Sequence, residues 1–122
     1  MNRVTLRSSK RIYLINLELG MPTADSALKQ LSQALRTAKA GRCVVVKVIH
    51  GYGSSGKGGS IRSAVARELT ASKQAGTIRE WVRGEDFSPF DPASRRIIDA
   101  CPELSEDRDF TRANHGITII LL

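Results

Sequence analysis

The sequence is poor in cysteine: Cys43 and Cys101 are the only two in 122 residues. Two cysteines this far apart do not make a disulfide framework, which argues against a small stapled scaffold. Aromatics are scarce as well, with three Phe, two Tyr and one Trp, too few for a broad base-stacking platform. No apolar run approaches the roughly 20 residues that a membrane helix requires. The basic start, Met1 to Arg11, is followed by no apolar segment of the kind a secretory leader carries. There are no internal repeats and no low-complexity tract. These absences leave the expectation of a reduced, cytoplasmic chain with one modest core and no membrane partner.

Acidic charge is scarce outside one stretch. The formal net charge is +7, which favours a polyanionic partner, most often nucleic acid. Residues 84–115 hold eight acids, among them Glu85, Glu106, Asp107 and Asp109, against four arginines. That segment is therefore net −4, which leaves +11 for the rest of the chain. Such a run is expected to be a solvated surface that keeps a basic domain soluble, the alternative being that Glu106, Asp107 and Asp109 bind a cation or fold back over the basic site.

What the chain has in abundance is glycine, concentrated after a β-branched run. Cys43 to Ile49 reads as a strand buried on both faces. His50 to Ser60 is a loop with Gly51, Gly53, Gly56, Gly58 and Gly59. Ser60 then offers an N-cap, and Ile61, Ala64, Val65 and Leu69 are spaced for a helix running to about Ala75. A strand, a glycine loop and a helix N-terminus converge unsatisfied N–H groups on one point, where the helix dipole is positive. Lys57 and Arg62 add mobile charge there. The stretch is a candidate phosphate site made of Gly51, Tyr52, Gly53, Ser54, Ser55, Gly56, Lys57, Gly58 and Arg62, with Tyr52 a candidate to stack on a base.

The rest of the chain frames that stretch. Met1 to Lys10 reads as a flexible basic arm. Arg11 to Leu19 predicts a first strand, with Asn16 and Glu18 two apart and so on one face at its C-terminal end. Gly20-Met21-Pro22 turns the chain into a helix capped by Thr23, whose stripe Ala24, Ala27, Leu28, Leu31, Leu35 and Ala38 ends at Gly41. Thr77 to Val82 predicts a half-exposed or edge strand. The long connection 84–115 is expected to carry a short helix near 92–100 that packs with Phe87, Phe90 and Leu104 against the sheet. Ile117 to Leu122 closes the chain as an apolar strand.

Two common glycine motifs fail on context. Gly51-Tyr52-Gly53-Ser54-Ser55-Gly56 fits G-x-G-x-x-G, but it follows the second strand and too little chain remains for a dinucleotide fold. Gly51 to Lys57 fits a P-loop as far as its lysine, but Gly58 stands where a magnesium-binding hydroxyl is required.

A third match is more specific. The order is strand, helix, Val48-Ile49-His50-Gly51-Tyr52-Gly53-Ser54-Ser55-Gly56-Lys57-Gly58-Gly59-Ser60-Ile61-Arg62, helix, strand, and a final Gly116-Ile117-Thr118-Ile119-Ile120-Leu121-Leu122 strand. Over about residues 11–122 this resembles the Smr domain, the family named for the small MutS-related module. The resemblance implies a compact α/β two-layer sandwich, with a mixed four-stranded sheet and two main helices, similar to the C-terminal domain of bacterial translation initiation factor three. It also implies binding of DNA or RNA, and in some members nicking or cutting of it. The family's first strand commonly ends Leu-Asp-Leu-His-Gly, and here Asn16 stands at the Asp position and Glu18 at the His position.

Asn16 is neutral and cannot act as a base, whereas Glu18 can be a base or bind a divalent ion. His50 is the candidate proton donor, with a turn-holding histidine as the alternative. Asn114, before the last strand, is a further candidate for the nucleic-acid site. The expectation is a nucleic-acid-binding domain at 11–122 with an acidic insertion at about 84–115. Its expected activity is weak endonucleolytic nicking dependent on Glu18 and on Mg²⁺ or Mn²⁺. The alternative is a catalytically silent interaction module for nucleic acid or protein.

Overall fold

The computed structural model describes residues 11–20, 23–51 and 57–122, the side chains of 57–59 excepted. The chain runs β1 (Ile12–Asn16), α1 (Ala24–Ala40), β2 (Val45–Ile49), α2 (Lys57–Ala75), β3 (Glu80–Arg83), α3 (Pro92–Ala100) and β4 (Ile117–Leu121). Two single 3₁₀ turns, Gly84–Asp86 and Pro102–Glu106, lie on either side of α3. The expected arm at 1–10, and the Met21-Pro22 part of the expected turn, lie outside the described residues.

The sheet is mixed, in the order β1-β2-β4-β3. β1 pairs parallel with β2, with Ile12 opposite Val45 and Asn16 opposite Ile49. β4 lies antiparallel to both β2 and β3. The β-branched run therefore sits in the sheet interior, and β3 is the edge strand that its alternation predicted.

Pleat alternation splits the core in two. Val46, Val48 and Ile120 face one side, where Leu31 and Ala38 of α1 and Ile61, Val65 and Leu69 of α2 cover them. Val45, Ile117, Ile119 and Leu121 face the other side, where Phe87, Ile97, Cys101 and Leu104 of residues 84–115 cover them. The acidic insertion is thus a third layer over a sheet face.

Helix boundaries follow local chemistry. The Thr23 hydroxyl caps α1 by accepting from the Ser26 N–H at 3.1 Å, and Gly41 donates to the Thr37 carbonyl at its other end. Asp91 caps α3 in the same way, accepting from the Ser94 N–H at 2.8 Å, with Pro92 in the first turn.

Four expectations are corrected. α2 begins at Lys57, so Ser60 lies inside its first turn and not at its cap. β1 ends at Asn16, because the Asn16 side-chain oxygen accepts the Glu18 N–H at 2.8 Å and turns the chain out of the ladder. Phe90 is 87% exposed and takes no part in the core, which Phe87 and Leu104 fill; its backbone N–H instead donates to the Ser88 hydroxyl in a turn. The acidic run is not merely solvated: Asp107 and Asp109 turn inward onto Lys47.

Candidate nucleic-acid interface

The C-terminal ends of β1 and β2 and the start of β4 meet at one corner of the sheet. The Gly116 carbonyl accepts from both the His50 and Gly51 N–H groups, at 2.9 and 3.1 Å. The turn before β4 is thereby sewn to the head of the glycine loop. Gly51 takes φ +81°, and the Glu18 carboxylate occupies the space that a Cβ there would need. The end of the first strand and the head of the glycine loop are therefore in contact.

His50 points to the helix side of the sheet and is 1% exposed. Its Nδ1 lies 3.0 Å from the Gly51 carbonyl and its Nε2 2.9 Å from the Thr118 hydroxyl. A carbonyl can only accept, so Nδ1 carries the proton and Nε2 accepts from Thr118. Burial lowers the His50 pKa, reinforced by the Arg62 charge and opposed by the Gly51 hydrogen bond and by Glu85 and Glu18. Both nitrogens of the neutral ring are engaged, and its one proton is directed at the Gly51 carbonyl.

The Arg62 guanidinium, which the sequence presents as mobile, forms an ion pair with Glu85. His115 Nδ1 lies 3.7 Å from the same carboxylate oxygen. Glu85 reaches this point because Gly84 passes so close to Asn114 and Ile117 that a side chain there would collide with their backbone.

On the opposite side of the sheet from His50, Lys47 is the one charge in a Val/Ile strand and is 8% exposed. Its ammonium lies 2.9 Å from Asp107 Oδ1 and 2.6 Å from Asp109 Oδ2. Asp109 also accepts from the Asn114 amide at 2.9 Å, and the Asn114 oxygen accepts the Gly116 N–H at 2.8 Å. Burial on its own raises the Asp109 pKa, but Lys47, Asn114 and Arg108 together hold it below the usual carboxylate range. Thr111 and Ala113 adopt left-handed backbone, φ 68° and 53°, to bring Asn114 back to this corner. Such conformations persist only where surrounding bonds fix them, here the Thr111 N–H donating to the Phe87 carbonyl at 2.9 Å.

These elements enclose a cleft of about 390 Å³. Leu14, Ile49 and Ile117 form apolar wall, and Glu18, Arg108 and Asn114 supply polar groups. Of the residues singled out by sequence, Asn16, Glu18, His50, Gly51 and Asn114 come together at this corner, and Arg62 stands on its helix side. Tyr52, Gly53, Ser54, Ser55 and Gly56 lie outside the described residues. Lys57 and Gly58 form the start of α2. Lys47 and Arg108 are cleft residues that the sequence reading missed, and Asp109 is one it weighed but expected to be solvated. A lone lysine in a β-branched strand was the available signal, together with the alternation Asp107-Arg108-Asp109, which turns the two acids in and the arginine out.

A family model described as the Smr domain matches residues 17–86. Among solved structures, the Smr domain of Thermus thermophilus MutS2 is similar at a TM-score of 0.53 with 21% sequence identity. The alignment covers 89% of this chain and 95% of that one. At that identity the likeness speaks for the fold. No curated protein matches the chain.

Proposed function

The chain belongs to the Smr domain family, a family with nucleic-acid-binding and nicking endonuclease roles, and we propose that it binds DNA or RNA at the corner where Glu18 meets Gly51. The observation that carries this reading is the contact between the Glu18 carboxylate and Gly51 at the head of the glycine loop, with α2 beginning at Lys57. Loop N–H groups and the helix dipole hold phosphate oxygens, and Lys57 adds a cation to the same segment of sequence. A net charge of +7 draws a polyanion to this surface.

Phosphodiester hydrolysis needs a base, charge stabilisation and a proton for the leaving group. Glu18 is the base of this site, and the loop and α2 stabilise charge. The proton donor is the weak part, because His50 is neutral and engaged at both nitrogens. Asn16 adds no charge, and its oxygen is occupied by the Glu18 N–H. Among the described residues no three His, Cys, Asp or Glu side chains converge. Mg²⁺ or Mn²⁺ would therefore be held by Glu18 together with substrate phosphate, a mode these ions commonly use. Binding with slow nicking is the activity that follows.

The test is a titration of duplex DNA, branched DNA and structured RNA at two salt concentrations, with product lengths read from the same tubes. Salt-dependent binding with slow, Glu18-dependent and chelator-sensitive nicking is the expected result. Absence of binding to all three at low salt overturns the reading. Brisk cutting in chelator that survives Glu18→Gln moves the active site elsewhere. Binding without products supports the catalytically silent alternative.

A further inference from the structure

The cleft between the sheet corner and the insertion has a use that phosphate binding does not explain. Its volume of about 390 Å³ falls within the roughly 300–1,000 Å³ range of small-molecule sites. Leu14 lines it but belongs to neither hydrophobic core cluster, so its side chain faces the cleft. Ile49 and Ile117, directly paired across β2 and β4, continue the apolar surface. Flat apolar walls suit the faces of an aromatic ring.

The polar groups divide into engaged and available ones. Asn114 and Asp109 are committed to each other, to Gly116 and to Lys47. Among the described residues, the Glu18 carboxylate and the Arg108 guanidinium have no hydrogen bond or ion pair. Among the described residues an acceptor and a donor thus stand without a hydrogen bond or ion pair beside an apolar slot, Arg108 acting on Asp109 through its charge alone. That combination suits a nucleobase, whose faces are apolar and whose edge carries donors and acceptors side by side. The cleft also adjoins Gly51, the first residue of the phosphate loop.

We propose that this cleft receives one unpaired base of the bound nucleic acid, so that the preferred ligand is single-stranded or carries an extruded nucleotide. The proposal rests on the nucleic-acid reading above and names the substrate class of the same corner. A base within an intact duplex has its edge paired and its faces stacked, and cannot enter a walled cleft without leaving the helix. Leu14, Ile49 and Ile117 pack the ring, while Glu18 and Arg108 meet its edge.

The experiment uses the full chain and a short oligonucleotide of mixed sequence, offered as a single strand and as its blunt duplex. A 2-aminopurine at one internal position reports the environment of an unpaired base. The single strand is expected to bind at least about tenfold more tightly than the duplex, because the duplex must unpair and unstack the base first. Leu14→Trp fills the cleft and Arg108→Ala removes the edge donor. Each should abolish that preference, and Arg108→Ala should in addition weaken both forms alike through its lost charge. Arg108 is exposed, so its variant is expected to fold even if Leu14→Trp does not, and circular dichroism checks both. Equal binding of the two forms by the unaltered chain overturns the proposal alone. So does a retained single-strand preference in folded Arg108→Ala with an unchanged 2-aminopurine signal. Failure of both forms to bind at low salt overturns the nucleic-acid reading with it.

Discussion

Arg62, the cation nearest the start of α2 whose side chain is described, is paired with Glu85 from the acidic insertion. The pair is part-buried, with side-chain exposures of 32% and 20%, and the second Glu85 oxygen has no hydrogen-bond partner among the described residues. At the proposed interface, a carboxylate in this place would compete with nucleic-acid phosphate for the same guanidinium.

Neutralising Glu85 should therefore tighten binding. Glu85→Gln is expected to steepen the slope of log affinity against log salt by about 0.9 on duplex DNA, the value for one further phosphate neutralised. Lys57→Ala should flatten the slope by the same amount. Arg62→Ala should do little in the unaltered chain but should cancel the steepening in Glu85→Gln. Because phosphate interactions carry no sequence information, these effects should be alike for unrelated sequences. Salt titrations of the parent and these variants check this; equal slopes throughout would remove Arg62 and Lys57 from the interface.

Lys47 ties β2 to the insertion through two carboxylates. Removing one member of a buried charged group leaves the others desolvated and unpaired. Lys47→Met should cost about 3 kcal/mol or more in denaturant unfolding. Adding Asp107→Asn and Asp109→Asn to it should recover much of that loss. A Lys47→Met protein as stable as the parent would show that the carboxylates hold the insertion without it.

Stability should fall in two steps on acidification. The folded pKa of His50 is depressed below its ordinary 6.5, chiefly by burial. As pH drops through 6.5 the unfolded chain takes up a proton first, so the contribution of the neutral ring is complete above that value and is lost toward the lower folded value. Asp109 and Glu80 follow. Burial raises both, but Lys47 holds Asp109, and Lys73 and Arg96 hold Glu80, below their ordinary 3.8 and 4.5. Their contribution is present above those values and disappears as pH falls through the folded ones. Thermal melts from neutral pH downward should show both steps, and His50→Gln should remove the first.

Chemistry should respond to the residues at the end of the first strand. Asn16→Asp with Glu18→His would install the Asp and His that the resemblance implies at these positions. An aspartate at 16 can still accept the 18 N–H, so the turn after β1 survives. Nicking should rise above that of the unaltered chain, while Glu18→Gln should lower it, and binding should change little in either. Gel assays of supercoiled plasmid and of structured RNA measure this; unchanged nicking in both variants would place the chemistry away from Glu18.

Much of the scaffold is legible in the order of residues alone. The 3.6-residue stripe from Ala24 to Ala38, the Thr23 cap and the β-branched run at 43–49 each depend on neighbours a few residues away. Asp91-Pro92 likewise marks the start of α3. Such features fix local structure because the energies involved, caps, dipoles and one buried face, are themselves local. The acidic insertion is visible as a composition shift, but composition does not say which carboxylate points inward.

The sequence by itself determined which elements form and that glycine gathers between β2 and α2. Tertiary structure decided the rest. The partners Lys47 and Asp107 are 60 residues apart, His50 and Thr118 are 68 apart, and Arg62 and Glu85 are 23 apart. Whether a lysine is a free cation or half of an ion pair, and whether a histidine can move a proton or only hold a turn, depends on what the fold places within about 3 Å of it. Periodicity carries no record of those meetings, because they arise only when the strands pair and the insertion closes over the sheet.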